Sequence, residues 1–264
     1  MIWKEIESRQ NEAVKLASSL ASKKERDRHG LFLAEGVTLL FDFLSYGLIP
    51  SRLYVARSSK HLEEVRERFS DVDCLAYLLS DAAFEKVTSE KGSEGVLSLY
   101  SVQDLKKILP VKSEGKWIAL ENLQDPGNVG TVIRTAAAFG FDGVLTVGCA
   151  DPFGPKAVRA SMGAIARIPV DCFSDTEALF SFLRQKSVHT VAACLHSESV
   201  SIGAAHLAPP VCVLIGNEGR GLSPVAIEKA DERSIIPIRN TESLNAATAA
   251  SVFMWEISRR EEMK

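Results

Sequence analysis

From residue 115 onward, short apolar runs alternate with helical stretches, and this alternation constrains the fold more than any other feature. The runs are WIAL (117–120), GVLTV (143–147), IPVDCF (168–173), HTVAACL (189–195), VCVLIG (211–216) and SIIPI (234–238). Unbroken runs of Val, Ile and Leu suit strands that are covered on both faces. Helical candidates lie between them at 128–139, 175–186 and 223–230, and a last one spans about 244–260. Strand–helix–strand repetition predicts an α/β domain built on a largely parallel sheet.

The first hundred residues follow a less regular pattern. A helix is expected over about 9–22, then the basic stretch SKKERDRHG, a short strand in LFLAEG and a helix in VTLLFDFLSYG that stops at Gly47. SRLYVA reads as a strand, HLEEVRERF as a helix, and GVLSLYS closes the segment. The expectation is a small α/β unit over 1–108, followed by a larger domain over 109–264.

Charge narrows the partners. Thirty-one Lys and Arg face 34 Asp and Glu, a net charge of −3. A dedicated duplex binder usually carries a large positive surplus. Attraction to nucleic acid therefore has to come from local groups. Lys23, Lys24, Arg26 and Arg28 crowd beside His29, and Lys156 and Arg159 form a second basic edge. These are candidate phosphate contacts, although such a cluster is also what a solvated helix end looks like. No apolar run approaches the ~18 residues needed to span a bilayer. The acidic N-terminal stretch argues against a signal or transit peptide, so a cytoplasmic protein is expected. The five cysteines form no CxxC pair, and four lie in or beside strand-like runs. They are expected to be small buried hydrophobes, with no metal site.

Three stretches carry candidate chemistry. In ALENLQDPGNVGTVIRTAAAFG (119–140), Asn128 stands at the expected helix N-cap, and Arg134 is the lone charge on an otherwise apolar helix. Gly130 lies one turn before Arg134 and clears space beside its guanidinium, which needs a carboxylate or a phosphate as partner. In VCVLIGNEGRGLSP (211–224), a strand runs into Gly216, Asn217, Glu218, Gly219, Arg220 and Gly221 before Ser223-Pro224 opens a helix. This turn fits neither the P-loop nor the GxGxxG spacing, so it suits a nucleoside held without a phosphate cradle. A carboxylate between glycines is rarely needed for packing, which singles out Glu218. In SIIPIRNTESLNAATAAS (234–251), Ser243 and Asn245 stand at the mouth of the last helix, as caps or as site residues. All three stretches fall at the carboxyl ends of expected strands, where open α/β sheets bind ligands.

In order and spacing, NLQDPGNVGTVIRTAAAFGFDGV, KAVRASMGAIARIPV, IGNEGRGLS and IPI…SLNAATAASV resemble the motifs of SpoU/TrmH-type RNA ribose 2′-O-methyltransferases of the SPOUT superfamily. The N-terminal QNEAVKLASSLASKKERDRHGLFLAEG resembles the RNA substrate-binding domain, similar to a ribosomal protein, that precedes the catalytic domain in many rRNA members. The resemblance implies a trefoil-knotted α/β domain that holds S-adenosylmethionine. It also implies a homodimer whose active site uses residues of both subunits, and a ribose 2′-hydroxyl of RNA, above all rRNA, as acceptor. It places catalytic roles on Asn128, Arg134, Glu218, Ser243 and Asn245. Cofactor contacts fall on Gly216, Ile236 and Leu244, with Leu195, Asn217 and Gly221 beside them. The alternatives are a tRNA ribose methyltransferase or a non-catalytic RNA-binding assembly factor that keeps the fold. One departure stands out: Ile238-Arg239-Asn240 replaces the usual Met-x-Gly, and the loop to Ser243 is one residue short. Asn tolerates positive φ better than most residues, so Asn240 is expected to stand in for the glycine.

Overall fold

The computed structural model describes residues 2–89, 93–109 and 115–262. The chain forms two compact units. One takes in the chain up to Leu109 together with Phe153–Arg159, and the other takes in the remainder. Lys156 and Arg159 therefore go with the first unit, whereas sequence order puts them in the second domain.

The first unit carries β1 (Ile2–Ile6), β2 (Leu31–Glu35), β3 (Arg52–Ala56), β4 (Leu75–Leu79) and β5 (Val96–Ser101). They form one sheet in the order β1-β4-β3-β5-β2. β1, β4 and β3 run parallel, and β5 pairs antiparallel with both β3 and β2. Phe32, Phe43 and Tyr100 meet on one side of this sheet, with Phe43 edge-on to Tyr100 at 4.8 Å. On the other side, Tyr54 stacks on Tyr77 and donates its hydroxyl to the Ala13 carbonyl at 3.0 Å. The helix expected over 9–22 is confined to Glu12–Ser19, and the basic stretch after it forms a helix of its own, Lys23–His29. Arg26 explains the break. Its side chain is buried, and its guanidinium donates to the carbonyls of Leu20 and Ala21, which the first helix leaves unpaired at its end. β1 and β4 have no counterpart among the expected strands.

The second unit carries β6 (Lys116–Glu121), β7 (Gly143–Val147), β8 (Val170–Phe173), β9 (His189–Ala193), β10 (Val200–Ser201), β11 (Val211–Ile215) and β12 (Glu232–Ile235). Their order is β10-β12-β9-β11-β6-β7-β8, and every pairing is parallel. β6, β7 and β11 are buried at every position, as their unbroken apolar runs require. The outermost strands β8 and β10 are partly or wholly exposed. Cys172 lies on β8 and is exposed, contrary to the expectation of a buried thiol; Cys74 and Cys212 are buried. Helix Ala246–Glu262 buries Ala246, Ala247, Ala250, Phe253, Met254 and Ile257, the three-and-four spacing of one helix face, and packs on helix Pro126–Ala138. Its alanine-rich start lets that neighbour approach closely.

Candidate active site

At the carboxyl ends of β9, β11 and β12 a cavity of about 770 Å³ opens. The carboxyl ends of the strands are where a ligand is expected in an open α/β fold. Three segments wall it: 193–195, 215–221 and 234–246. Leu195, Gly216, Asn217, Gly221, Ile236 and Leu244 all line it, and so do Glu218 and Ser243.

The 216–221 wall is tightly bonded. Asn217 and Gly221 exchange both backbone hydrogen bonds, at 3.0 and 2.9 Å, which closes the turn. Gly221 adopts φ +69°, and a Cβ on Gly216 would fall 2.2 Å from the backbone of Gly221 and Leu222, so glycine is obligatory there. Asn217 Oδ1 accepts from the N–H groups of Gly219 and Arg220, while its Nδ2 donates to the Asn122 carbonyl at 2.9 Å. Below the turn, the buried Glu121 accepts from Ser223 N at 2.7 Å, Ser223 Oγ at 2.8 Å and Thr176 Oγ1 at 2.6 Å. The end of β6 thus fixes the exit of the turn, where Ser223 caps helix Pro224–Lys229. Sequence reasoning missed Glu121; its signal was an acid at the end of an otherwise apolar strand.

Beside the cavity, a side-chain relay joins the three motifs. Asn245 Nδ2 donates to Asn128 Oδ1 at 3.2 Å, and Asn128 Nδ2 donates to Glu218 Oε1 at 2.7 Å. Asn245 also caps the last helix, its Oδ1 accepting from the N–H groups of Ala247 and Thr248. Asn128 is not the N-cap that its position suggests. Asp125 caps the helix by accepting from Gly127 N, with Pro126 as its first residue. That shift puts Asn128 in the first turn and leaves its amide free to bridge Asn245 and Glu218. Arg134 lies outside the relay and the cavity: it is exposed, with no hydrogen bond or ion pair among the described residues.

The altered loop behaves as its residues suggest, with Asn240 at φ +64°. Two lining residues escaped sequence reasoning. Ser234 is fully buried and its hydroxyl has no partner among the described residues, while Glu242 stands exposed on the loop wall. Cys194 also lines the cavity, where burial pushes its thiol up and away from the reactive thiolate.

The candidate RNA contacts in the first unit are only partly available. Lys24 is exposed, but Lys23 pairs with Asp27 at 2.6 Å and Arg28 with Glu25 at 3.5 Å. Arg26, buried and capping a helix, cannot reach a phosphate. Lys156 and Arg159 are exposed, and Arg159 donates to Ser89 Oγ at 3.3 Å.

Residues 116–255 match the model of the SpoU rRNA methylase family, and residues 11–98 match that of the MRM3-like substrate binding domain. The chain is 30% identical to the 23S rRNA (guanosine(2553)-2′-O)-methyltransferase RlmP of Bacillus subtilis, over 96% of this chain and 99% of that protein. It is 25% identical to the mitochondrial rRNA methyltransferase 3 of Homo sapiens, over 90% of this chain and 70% of that one. Among solved structures, an AdoMet-bound rRNA methyltransferase from Sinorhizobium meliloti aligns at TM-score 0.84 and 32% identity, over 98% of both chains.

Proposed function

The chain belongs to the SpoU rRNA methylase family, and on that premise we propose that it transfers a methyl group from S-adenosylmethionine to a ribose 2′-hydroxyl of rRNA. The chemistry of the cavity carries this reading. No Lys, Arg or His among the described residues lines it, so it offers no basic side chain to a phosphate. Its apolar floor of Ile215, Ala246 and Phe253 and its glycine-edged backbone suit a nucleoside, and Glu218 and Glu242 suit a cation. The orphaned Ser234 hydroxyl is a buried polar group of the kind that a bound ligand satisfies.

Bound there, S-adenosylmethionine supplies a methyl group already activated by its sulfonium. What remains for the protein is alignment, which supplies several kcal/mol through proximity alone. We assign Gly216, Ile236 and Leu244, with Leu195, Asn217 and Gly221, to holding the cofactor. Asn245 and Asn128 position the ribose beside it, and Glu218 holds the amide of Asn128 in place. Arg134 binds an RNA phosphate and stabilises the alkoxide that develops on the 2′-oxygen. Because Arg134 stands apart from its own chain's relay, we assign it to the site of a second copy in a homodimer. The half-exposed Trp255 on the last helix is a further reason to expect a partner there. The threading of the chain around the cofactor loop, a trefoil knot, belongs to the same reading. The first unit holds the RNA, with Lys24, Lys23, Arg28, Lys156 and Arg159 as phosphate contacts.

The test is methyl transfer from labelled cofactor to rRNA and tRNA transcripts, followed by digestion to nucleosides. The expected product is a 2′-O-methylnucleoside from rRNA. Arg134→Ala should lower kcat by about 100-fold or more, as loss of a group acting on developing charge does, and leave cofactor affinity unchanged. Near-wild-type turnover by Arg134→Ala at saturating RNA contradicts its role.

A further inference from the structure

Resting on the cofactor reading above, we propose that Glu242 makes the cavity select the sulfonium form of the cofactor over its demethylated product. Two carboxylates line the cavity, Glu218 and Glu242, and no basic side chain among the described residues joins them. Glu218 receives only neutral donors, the amides of Asn128 and Asn217. Glu242 has no hydrogen bond or ion pair among the described residues. Neither negative charge is cancelled at short range.

The two forms of the cofactor differ by one charge. S-adenosylmethionine carries an ammonium, a carboxylate and a sulfonium, for a net charge of +1. Once the methyl has gone to the ribose oxygen, the sulfur keeps the bonding pair as a neutral thioether, and the product is neutral overall. Only the donor therefore gains from an unneutralised carboxylate beside the sulfur. Glu242 is placed for this. It lies three residues before Asn245, the member of the relay that caps the last helix, and next to Ser243 on the cavity wall. With its methyl turned to the relay to meet the ribose, the cofactor would place its sulfur at this end of the cavity. Glu242 is exposed, so water screens the attraction, and the effect is a few-fold one.

Isothermal titration of the full-length protein and of Glu242→Gln tests this with three ligands: S-adenosylmethionine, S-adenosylhomocysteine and sinefungin, whose amine replaces the sulfonium with an ammonium. The expected result is about fivefold weaker binding of the two cationic ligands by the variant and unchanged binding of S-adenosylhomocysteine. High salt should reduce the preference of the wild type for the cationic ligands in the same direction. Equal weakening of all three would mean that Glu242 serves the shared α-ammonium or the loop itself, and would overturn the proposal. No change for any ligand would overturn it as well. Failure of the wild type to bind any of the three would instead strike down the cofactor reading on which the proposal rests.

Discussion

Two loops wall the same cavity and are built in different ways. The turn at 216–221 is held by its own backbone, by both ends of the Asn217 amide and, beneath it, by the Glu121 carboxylate. The segment 236–244 has little beyond a bond from Thr241 Oγ1 to the Ser243 carbonyl at 3.2 Å among the described residues. One wall is preformed; the other has few bonds to lose and can be shaped by what it holds. A site that must admit a cofactor and then close over it needs one of each. Hydrogen exchange makes the contrast measurable: amides at 216–222 should be protected in the free protein, and those at 238–243 only once cofactor is present. Equal protection of both walls in the free protein breaks the comparison.

Substitutions sharpen it, starting with the largest effect. Glu121→Ala leaves three half-buried donors without their acceptor and should cost about 2–4 kcal/mol in urea unfolding, with cofactor binding lost. Asn217→Ala removes the side-chain amide bonds that brace the turn from within and tie it to Asn122, at about 1–3 kcal/mol, and calorimetry should register a fall in cofactor affinity. On the other wall, Asn240→Ala forces an ordinary residue into positive φ, at about 1 kcal/mol, whereas Asn240→Gly should shift the unfolding midpoint by less than about 0.5 kcal/mol. Thr241→Ala should be the mildest, about 0.5 kcal/mol or less. If Thr241→Ala costs as much as Asn217→Ala, the two walls are equally preformed.

The sequence made the tight wall legible and left the supports beneath it hidden. Buried parallel strands announce themselves because both faces are covered, so runs such as VCVLIG carry no polar alternation to confuse the reading. The strand IWKEI lacks that signature, since Lys4 and Glu5 are exposed. Asn128 was legible as a site residue but not in its geometry. Asp125 and Asn128 are both good caps, and only the packed structure decides that Asp125-Pro126 opens the helix. Arg26 is the counterpart: its neighbours in sequence are solvated, and nothing local foretells that its guanidinium turns inward to cap a helix. The roles of Ser234 and Glu121 could not be read locally. Their significance depends on groups more than 40 residues away, or on having no group at all. The net charge of −3 also gains meaning. With Arg26 buried, and Lys23 and Arg28 already paired, the RNA affinity of the free protein should depend only modestly on salt, well short of the slope of some ten phosphate contacts.

The most direct test of the central claim is a map of ribose methylation across total RNA from cells with and without this protein. The account predicts that a 2′-O-methyl group disappears from rRNA when the protein is absent and returns with the wild type but not with Arg134→Ala. An unchanged rRNA map, or a methyl group lost from tRNA alone, would contradict it.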